Sequence, residues 1–287
     1  MKIIDILNQD RPTLSFEVFP PKTSDTYDSV AKATQDIAAL RPDFMSVTYG
    51  AGGGTSDYTV GIAAGIQQQY GVDVLAHLTC ASSTREHVAQ VLENLKEKGI
   101  QNVLALRGDI PEGGAPAHDY QYAAQLVKDI KAHGDFCIGG ACYPEGHLES
   151  PDLVSDIRHL KEKVDAGAQH LVSQLFFDNE DFFRFLERAR IAGIDVPIEA
   201  GIMPVLSRSS IQRMVSMCGA SLPRKLTRIL ARYGDHPAAL REAGIAYAID
   251  QISDLIAGGV EGIHLYTMND PAVAQQIAGS LTSIRSV

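Results

Sequence analysis

Eight short apolar segments recur along this sequence, and a stretch with helical periodicity separates each from the next. Each segment is almost continuously apolar or small, which is typical of strands in a parallel sheet that is buried on both faces. We predict strands at residues 14–19, 43–49, 72–78, 102–107, 136–142, 169–175, 196–201 and 262–266.

The stretches between these strands have the apolar spacing of amphipathic helices. Val88, Val91, Leu92 and Leu95 recur at intervals of three and four residues, which places them on one helical face. Thr84 precedes this segment, and its hydroxyl can cap the first turn of the helix. The spacing therefore predicts a helix that packs one face on a sheet.

Alternation of eight strands with helices over 287 residues predicts the α/β class and a single (β/α)8 TIM-type barrel. A doubly wound open sheet is the alternative, because the number of strands does not establish closure. Between residues 201 and 262 the chain has room for three helices, so we expect a helical insertion before the last strand. We expect residues 1–287 to form one domain.

The composition argues against several classes of protein. Lys and Arg number 25 and Asp and Glu number 35, a net charge of −10, and no basic stripe favours a nucleic-acid partner. The four cysteines (Cys80, Cys137, Cys142 and Cys218) are far apart, so we interpret them as free thiols and predict no metal site. No apolar run is long enough to span a membrane, and we expect a cytoplasmic protein.

Polar side chains stand at or just after the ends of seven of the eight predicted strands. In a (β/α)8 barrel the active site forms at the carboxyl ends of the strands, so a purely structural barrel would not need this ring. The seventh strand instead runs into a glycine, Gly201. The ring consists of Glu17, Thr48, His77, Arg107 with Asp109, Tyr143 with His147, Gln174, and His264 with Tyr266.

Three of these features have two interpretations each. Glu17 lies close to two phenylalanines in a buried strand, where an ionised carboxylate is costly, so it is either a general acid or a structural acid paired with Lys or Arg. The glycine-rich stretch 49–56 either allows a ligand to approach the backbone or is a plain turn. Arg107 and Asp109 either bind a ligand or form structural salt bridges.

Nine motifs, taken together and in order, resemble the methylenetetrahydrofolate reductase family over nearly the whole chain. They are SFEVFPP at 15–21, SVTYGAGG at 46–53, HLTC at 77–80, LALRGD at 104–109, YPEGH at 143–147, KVDAGA at 163–168, QLFFD at 174–178, GIMPV at 201–205 and HLYTMN at 264–269.

The resemblance implies a barrel that binds FAD noncovalently and reduces 5,10-methylenetetrahydrofolate to 5-methyltetrahydrofolate in two stages at one site. NADH or NADPH gives a hydride to the flavin and leaves, and the folate then binds in the same place. Glu17 matches the family's general acid, and Asp109 matches the acid beside the flavin. Gln174 matches a residue that contacts the folate pterin, so Glu17, Asp109 and Gln174 form the expected substrate site.

The resemblance also implies a set of flavin-binding positions, of which Lys163 is the candidate for the diphosphate. They are Thr48, Tyr49, Ala51, His77, Leu106, Arg107, Gly108, Asp109, Tyr122, Ala123, Tyr143, His147, Asp156, His159 and Lys163. The chain departs from the family pattern at His159, Glu162, Met214 and Asp270. We therefore look for the folate tail's partners among the arginines of the insertion, Arg208, Arg213 and Arg224.

The expected partners are a small-molecule folate and further copies of this chain in a homo-oligomer. Two alternatives remain open. The chain could be the flavoprotein subunit of a larger electron-transfer complex, which reduces the same folate with a protein-borne reductant. It could also be a flavin-free, non-catalytic barrel that binds a pterin.

Overall fold

Parallel pairing closes a strand barrel in this computed structural model, which describes residues 1–21, 26–49, 56–109 and 119–286. Within these residues eight strands pair in sequence order, and the first pairs with the last, so the open-sheet alternative is wrong. The strands are β1 Thr13–Val18, β2 Phe44–Val47, β3 Val74–Thr79, β4 Asn102–Leu106, β5 Cys137–Cys142, β6 His170–Ser173, β7 Ile198–Ile202 and β8 Gly262–Tyr266.

Helices alternate with these strands and surround the barrel, as predicted. They are α1 Ile3–Leu7, α2 Tyr27–Ala38, α3 Ser56–Gly65, α4 Arg85–Glu97, α5 Ala123–His133, α6 Leu153–Ala166, α7 Asn179–Ile191, α8 Arg208–Cys218, α9 Arg224–Tyr233, α10 Pro237–Ala257 and α11 Pro271–Ser280. The side chain of Thr84 accepts a hydrogen bond from the backbone N–H of His87, so the predicted N-cap of α4 is confirmed. Among the helices described, none is both long and apolar enough to cross a membrane.

The two faces of each strand have different roles. On β1 the side chains of Leu14, Phe16 and Val18 point outwards and pack in the main apolar core beneath the helices. Ser15 and Glu17 alternate with them and are buried inside the barrel. Polar residues inside an otherwise apolar strand therefore mark the face that lines the barrel interior.

A short amino-terminal helix closes the end of the barrel opposite to the carboxyl ends of the strands. Ile3, Ile6 and Leu7 of α1 pack in a separate apolar cluster with residues that include Phe44. The backbone N–H of Ile3 donates to the side chain of Asn102, the first residue of β4, at 2.9 Å. Helix α1 was not predicted from the sequence, because its five residues are too few to show a helical period.

The predicted insertion lies between β7 and β8 and consists of α8, α9 and α10. Its apolar side chains join a third cluster with residues that follow β6 and β7. Leu226 and Leu240 of the insertion pack there with Phe177 and Val205. The insertion is therefore anchored beside the carboxyl ends of the strands, where a ligand would bind.

Candidate active site

A cavity of about 720 Å³ opens at the carboxyl ends of the strands. This volume lies within the range of small-molecule and cofactor sites. Fifteen of the seventeen predicted catalytic, cofactor-binding and substrate-binding residues line it: Glu17, Thr48, His77, Leu106, Arg107, Gly108, Asp109, Tyr122, Ala123, Tyr143, His147, Asp156, His159, Lys163 and Gln174.

Two predicted cofactor residues stand apart from this set. Ala51 lies outside the described residues. Tyr49 is not part of the cavity lining; its ring packs against the core, and its hydroxyl lies 3.1 Å from Nε2 of His87 at the start of α4. The roles of Tyr49 and Ala51 therefore stay predictions.

Glu17 reaches the floor of the cavity from inside the barrel and is 6% exposed. Its Oε2 lies 3.4 Å from Nε2 of His77, 3.5 Å from Nε2 of His264 and 3.4 Å from the hydroxyl of Ser46. Within the described residues, no Lys or Arg forms an ion pair with Glu17. Its neighbours are imidazoles and a hydroxyl, which can exchange a proton with it.

His77 is neutral at physiological pH. Burial lowers its pKa to about 4, although the negative charge of Glu17 acts in the opposite direction. A neutral imidazole beside Glu17 can accept or donate a hydrogen bond and does not lock the carboxyl group in an ion pair.

Arg107 is held by a residue that the sequence analysis did not single out. Its guanidinium pairs with both carboxylate oxygens of Glu149, one of them at 2.7 Å. This pair raises the pKa of Arg107 and lowers that of Glu149. Gly108 follows with φ +79°, and a Cβ there would lie 2.8 Å from Thr79, so only glycine fits this turn. Asp109 is exposed at the rim.

One face of α6 forms a wall of the cavity. Lys163 donates from Nζ to the carbonyl of Ala141 at 2.6 Å, and burial lowers its pKa. One turn earlier the ring of His159 stacks on that of Tyr122, with centroids 6.2 Å apart and planes 23° apart. His159 and Lys163 thus share a face, as their spacing predicts.

The opposite end of this wall is formed by the segment after β5. Tyr143 and His147 meet edge to face with centroids 4.7 Å apart, and burial raises the pKa of Tyr143. The backbone N–H of His147 donates to the buried carboxylate of Asp156 at 3.2 Å. Gln174 completes the floor, with its Oε1 accepting from the backbone N–H of Leu175 at 2.9 Å.

Below the cavity the barrel interior is also polar, and of the residues buried there only His264 was among the predicted strand-end residues. Ser15, His170, Glu199 and His264 are fully buried there, each at 0% exposure. Glu199 and Gly201 have the same period of two as Ser15 and Glu17, and this alternation could have revealed the second interior layer.

The chain is similar to proteins of one family along almost its whole length. Residues 2–282 match the family model named methylenetetrahydrofolate reductase. The chain is 38% identical to 5,10-methylenetetrahydrofolate reductase of Pectobacterium carotovorum subsp. carotovorum, over 95% of this chain and 91% of that protein. It is 37% identical to methylenetetrahydrofolate reductase (NADH) 1 of Arabidopsis thaliana, over 94% of this chain and 49% of that protein. The chain therefore spans about half the length of this plant relative.

A solved structure supports the fold. An uncharacterized protein from Clostridium thermocellum, which binds two copies of 5-methyl-5,6,7,8-tetrahydrofolic acid, superposes with a TM-score of 0.70. The alignment covers 97% of this chain and 99% of that one, at 14% identity. At this identity the similarity shows the fold alone.

Proposed function

The chain belongs to the methylenetetrahydrofolate reductase family, and we propose that it reduces 5,10-methylenetetrahydrofolate to 5-methyltetrahydrofolate, with FAD as the noncovalent hydride carrier and NADH or NADPH as the reductant. The observation that carries this proposal is the position of Glu17. Its carboxyl group is nearly buried on the floor of the cavity, beside a neutral imidazole.

The residues around the cavity suit an extended dinucleotide. Lys163 donates from Nζ to the carbonyl of Ala141 at the strand ends, and an anion would give it a charged partner. His147 and Arg107 also line the cavity, and the stacked rings of Tyr122 and His159 offer an aromatic surface. Bound there, FAD would supply hydride transfer between nicotinamide and folate.

Glu17 acts as the general acid in this proposal. The five-membered ring of the folate must open before it can accept a hydride, and the leaving nitrogen needs a proton for this step. The carboxyl group of Glu17 faces the cavity, so it can protonate that nitrogen. The hydroxyl of Ser46 donates to the carboxyl group, and the imidazole of His77 lies beside it.

Asp109 and Gln174 position and stabilise the substrate. The carboxylate of Asp109 at the rim favours the positive charge that develops on the opened folate. The amide of Gln174 lies on the cavity floor and can pair with the polar edge of a pterin. In this proposal nicotinamide and folate occupy the cavity in turn. Residues 1–287 work as one catalytic domain within a homo-oligomer.

A product assay tests this function. Purified chain loaded with FAD is incubated without oxygen with methylenetetrahydrofolate and either NADH or NADPH, and 5-methyltetrahydrofolate is quantified. Product that forms with one of the nicotinamides and depends on FAD supports the proposal. Absence of product with both nicotinamides overturns it.

A further inference from the structure

A column of polar side chains runs from the floor of the cavity into the deep interior of the barrel. At its lower end Glu199 of β7 is fully buried, and its Oε1 lies 3.0 Å from the hydroxyl oxygen of Ser15. The same hydroxyl oxygen lies 2.7 Å from Nδ1 of His264. These two contacts connect Glu199 to an imidazole that borders the cavity acid.

The upper half of the column continues from the other nitrogen of this imidazole. Nε2 of His264 lies 3.2 Å from the hydroxyl oxygen of Ser46, which lies 3.4 Å from Oε2 of Glu17. Nε2 of His264 also lies 3.5 Å from the same carboxylate oxygen. A continuous path of exchangeable groups therefore joins two carboxyl groups, one in the cavity and one below it.

Within the described residues, no Lys or Arg forms an ion pair with Glu199, although the imidazole of His264 favours its ionised form. The titratable groups that face it are His170 on β6, His264 on β8 and, farther away, Asp43 before β2. Burial raises the pKa of Glu199 to about 7. Nδ1 of His170 lies 3.9 Å from Oε2 of Glu199, and burial lowers the pKa of His170 to about 3. Glu199 therefore exchanges a proton near neutral pH.

The shape of the interior is adapted to these groups. Gly139 of β5 faces the ring of His170, and a Cβ on Gly139 would lie 2.7 Å from that ring. One carboxylate oxygen of Glu199 and both ring nitrogens of His170 have no hydrogen-bond partner in the described structure. Groups buried without partners lower stability, so their presence beneath the cavity indicates a role beyond packing.

The geometry points to Glu199 as a second proton-holding carboxyl group, a positioning residue that exchanges a proton with Glu17 through Ser15, His264 and Ser46. This inference rests on the proposed function, in which Glu17 gives its proton to the folate. It adds a group that the general-acid step alone does not require.

The exchange balances without an oxidant or reductant. Once Glu17 is a carboxylate, Glu199 gives its proton to the hydroxyl of Ser15, and Ser15 passes its own proton to Nδ1 of His264. His264 releases its Nε2 proton to Ser46, and Ser46 passes its own proton to Oε2 of Glu17. Glu199 is left ionised and His264 has changed tautomer. The reverse sequence reloads Glu199 when Glu17 next takes a proton from solvent through the open cavity.

Sharing a proton extends the pH range in which Glu17 can act as an acid. Glu199 holds a proton near neutral pH and can pass it along the path, so Glu17 is reloaded from inside the barrel. Without Glu199 or without the path, Glu17 takes its proton from solvent alone. We then expect the folate half-reaction to slow at a lower pH.

Two variants test the path in the FAD-loaded chain. Glu199→Gln keeps the hydrogen bonds of the protonated acid but has no proton to release, and Ser15→Ala interrupts the path with Glu199 in place. In the pH profile of the folate half-reaction, we expect each variant to move the alkaline limb to lower pH by about one unit. We expect no further shift in the double variant. Flavin reduction by the nicotinamide stays unchanged in both variants.

The control is Glu187→Gln, which removes the same charge from an exposed position on α7 and should leave the pH profile unchanged. The inference is overturned if the wild-type chain reduces folate and the pH profile of Glu199→Gln coincides with the wild-type profile. It is equally overturned if Glu199→Gln shifts the profile and Ser15→Ala does not, since the charge would then act without the path.

An infrared pH titration separates this inference from the proposed function, because it needs no turnover. We expect a protonated carboxyl band with a midpoint near pH 7, absent in Glu199→Gln and displaced in Glu17→Gln. A midpoint that Glu17→Gln leaves in place would show that the two carboxyl groups do not share a proton. Failure of the wild-type chain to reduce folate contradicts the proposed function instead.

Discussion

The Oε2 atom of Glu17 lies 3.4 Å from Nε2 of His77, and each side chain is 7% exposed. Because burial lowers the pKa of His77 to about 4, the pair is not an ion pair at neutral pH. The carboxyl group lies beside a neutral imidazole and accepts a hydrogen bond from the hydroxyl of Ser46, so it can give up a proton without breaking a salt bridge.

Glu17→Gln separates the two halves of the proposed reaction. The amide keeps the shape of the side chain but has no acidic proton, so folate reduction should fall by about 100-fold or more. Flavin reduction by the nicotinamide requires no proton from Glu17 and should stay within about twofold of wild type. Rapid-mixing measurements of the two half-reactions check this, and an equal loss in both would argue against a general-acid role.

Lys163→Met tests the proposed flavin diphosphate site. Loss of a charge-assisted hydrogen bond should weaken FAD binding by roughly 10- to 100-fold. The matched control is Lys161→Met, on the same helix, where the lysine pairs with the exposed Asp165. Fluorescence titration of the apoprotein with FAD gives both dissociation constants. Equal affinities in the two variants would place the diphosphate elsewhere.

Asp109→Asn tests the charge at the rim of the cavity. Removal of a negative charge beside the flavin should raise its potential by about 30 mV, the two-electron equivalent of about 1.4 kcal/mol. It should also slow folate reduction by roughly 10- to 100-fold. The control is Glu162→Gln, because Glu162 on α6 is another acid that lines the cavity. A potential that matches wild type would show that Asp109 lies away from the flavin ring.

Glu199 should make the stability of the fold dependent on pH in a defined direction. Its pKa rises from 4.5 to about 7 on folding, so the unfolded chain releases this proton first as the pH increases. The neutral form stabilises the fold fully below pH 4.5, and the stability decreases up to about pH 7. The free energy of unfolding decreases by up to about 3 kcal/mol between these pH values.

Replacement of Glu199 by glutamine removes this dependence. Glu199→Gln should therefore melt several degrees above wild type at pH 8 and close to wild type at pH 4.5, measured by circular dichroism. A difference of the same size at both pH values would show that the side chain acts through packing and not through its charge.

Much of the fold follows from local patterns in the sequence. The strands were predicted because their segments are almost continuously apolar, as in a sheet that is buried on both faces. Each predicted strand overlaps an observed one. The boundaries differ where polar residues follow a strand. The predicted second strand continued to Tyr49, whereas β2 ends at Val47, because the ladder with β3 reaches only Val47.

The site was predictable only in part, for a physical reason. Residues at strand ends converge whatever their distance along the chain, so Glu17, His77 and Gln174 could be grouped from the barrel alone. Glu149 could not, because its role depends on a loop that brings it back to Arg107. The alternation along β7 could have marked Glu199 as an interior residue, but its partners Ser15 and His264 lie on other strands and could not be predicted from that segment.

The most direct test of the proposed reaction is an anaerobic visible spectrum of the FAD-loaded chain, recorded before and after addition of NADH or NADPH and then after methylenetetrahydrofolate. We predict flavin bands that bleach with one of the nicotinamides and return with the folate. Flavin bands that do not bleach with either nicotinamide, but bleach with dithionite and return with the folate, would contradict the proposed reductant. They would favour a protein partner as the reductant. The absence of flavin bands after incubation with FAD would contradict the proposed cofactor site itself.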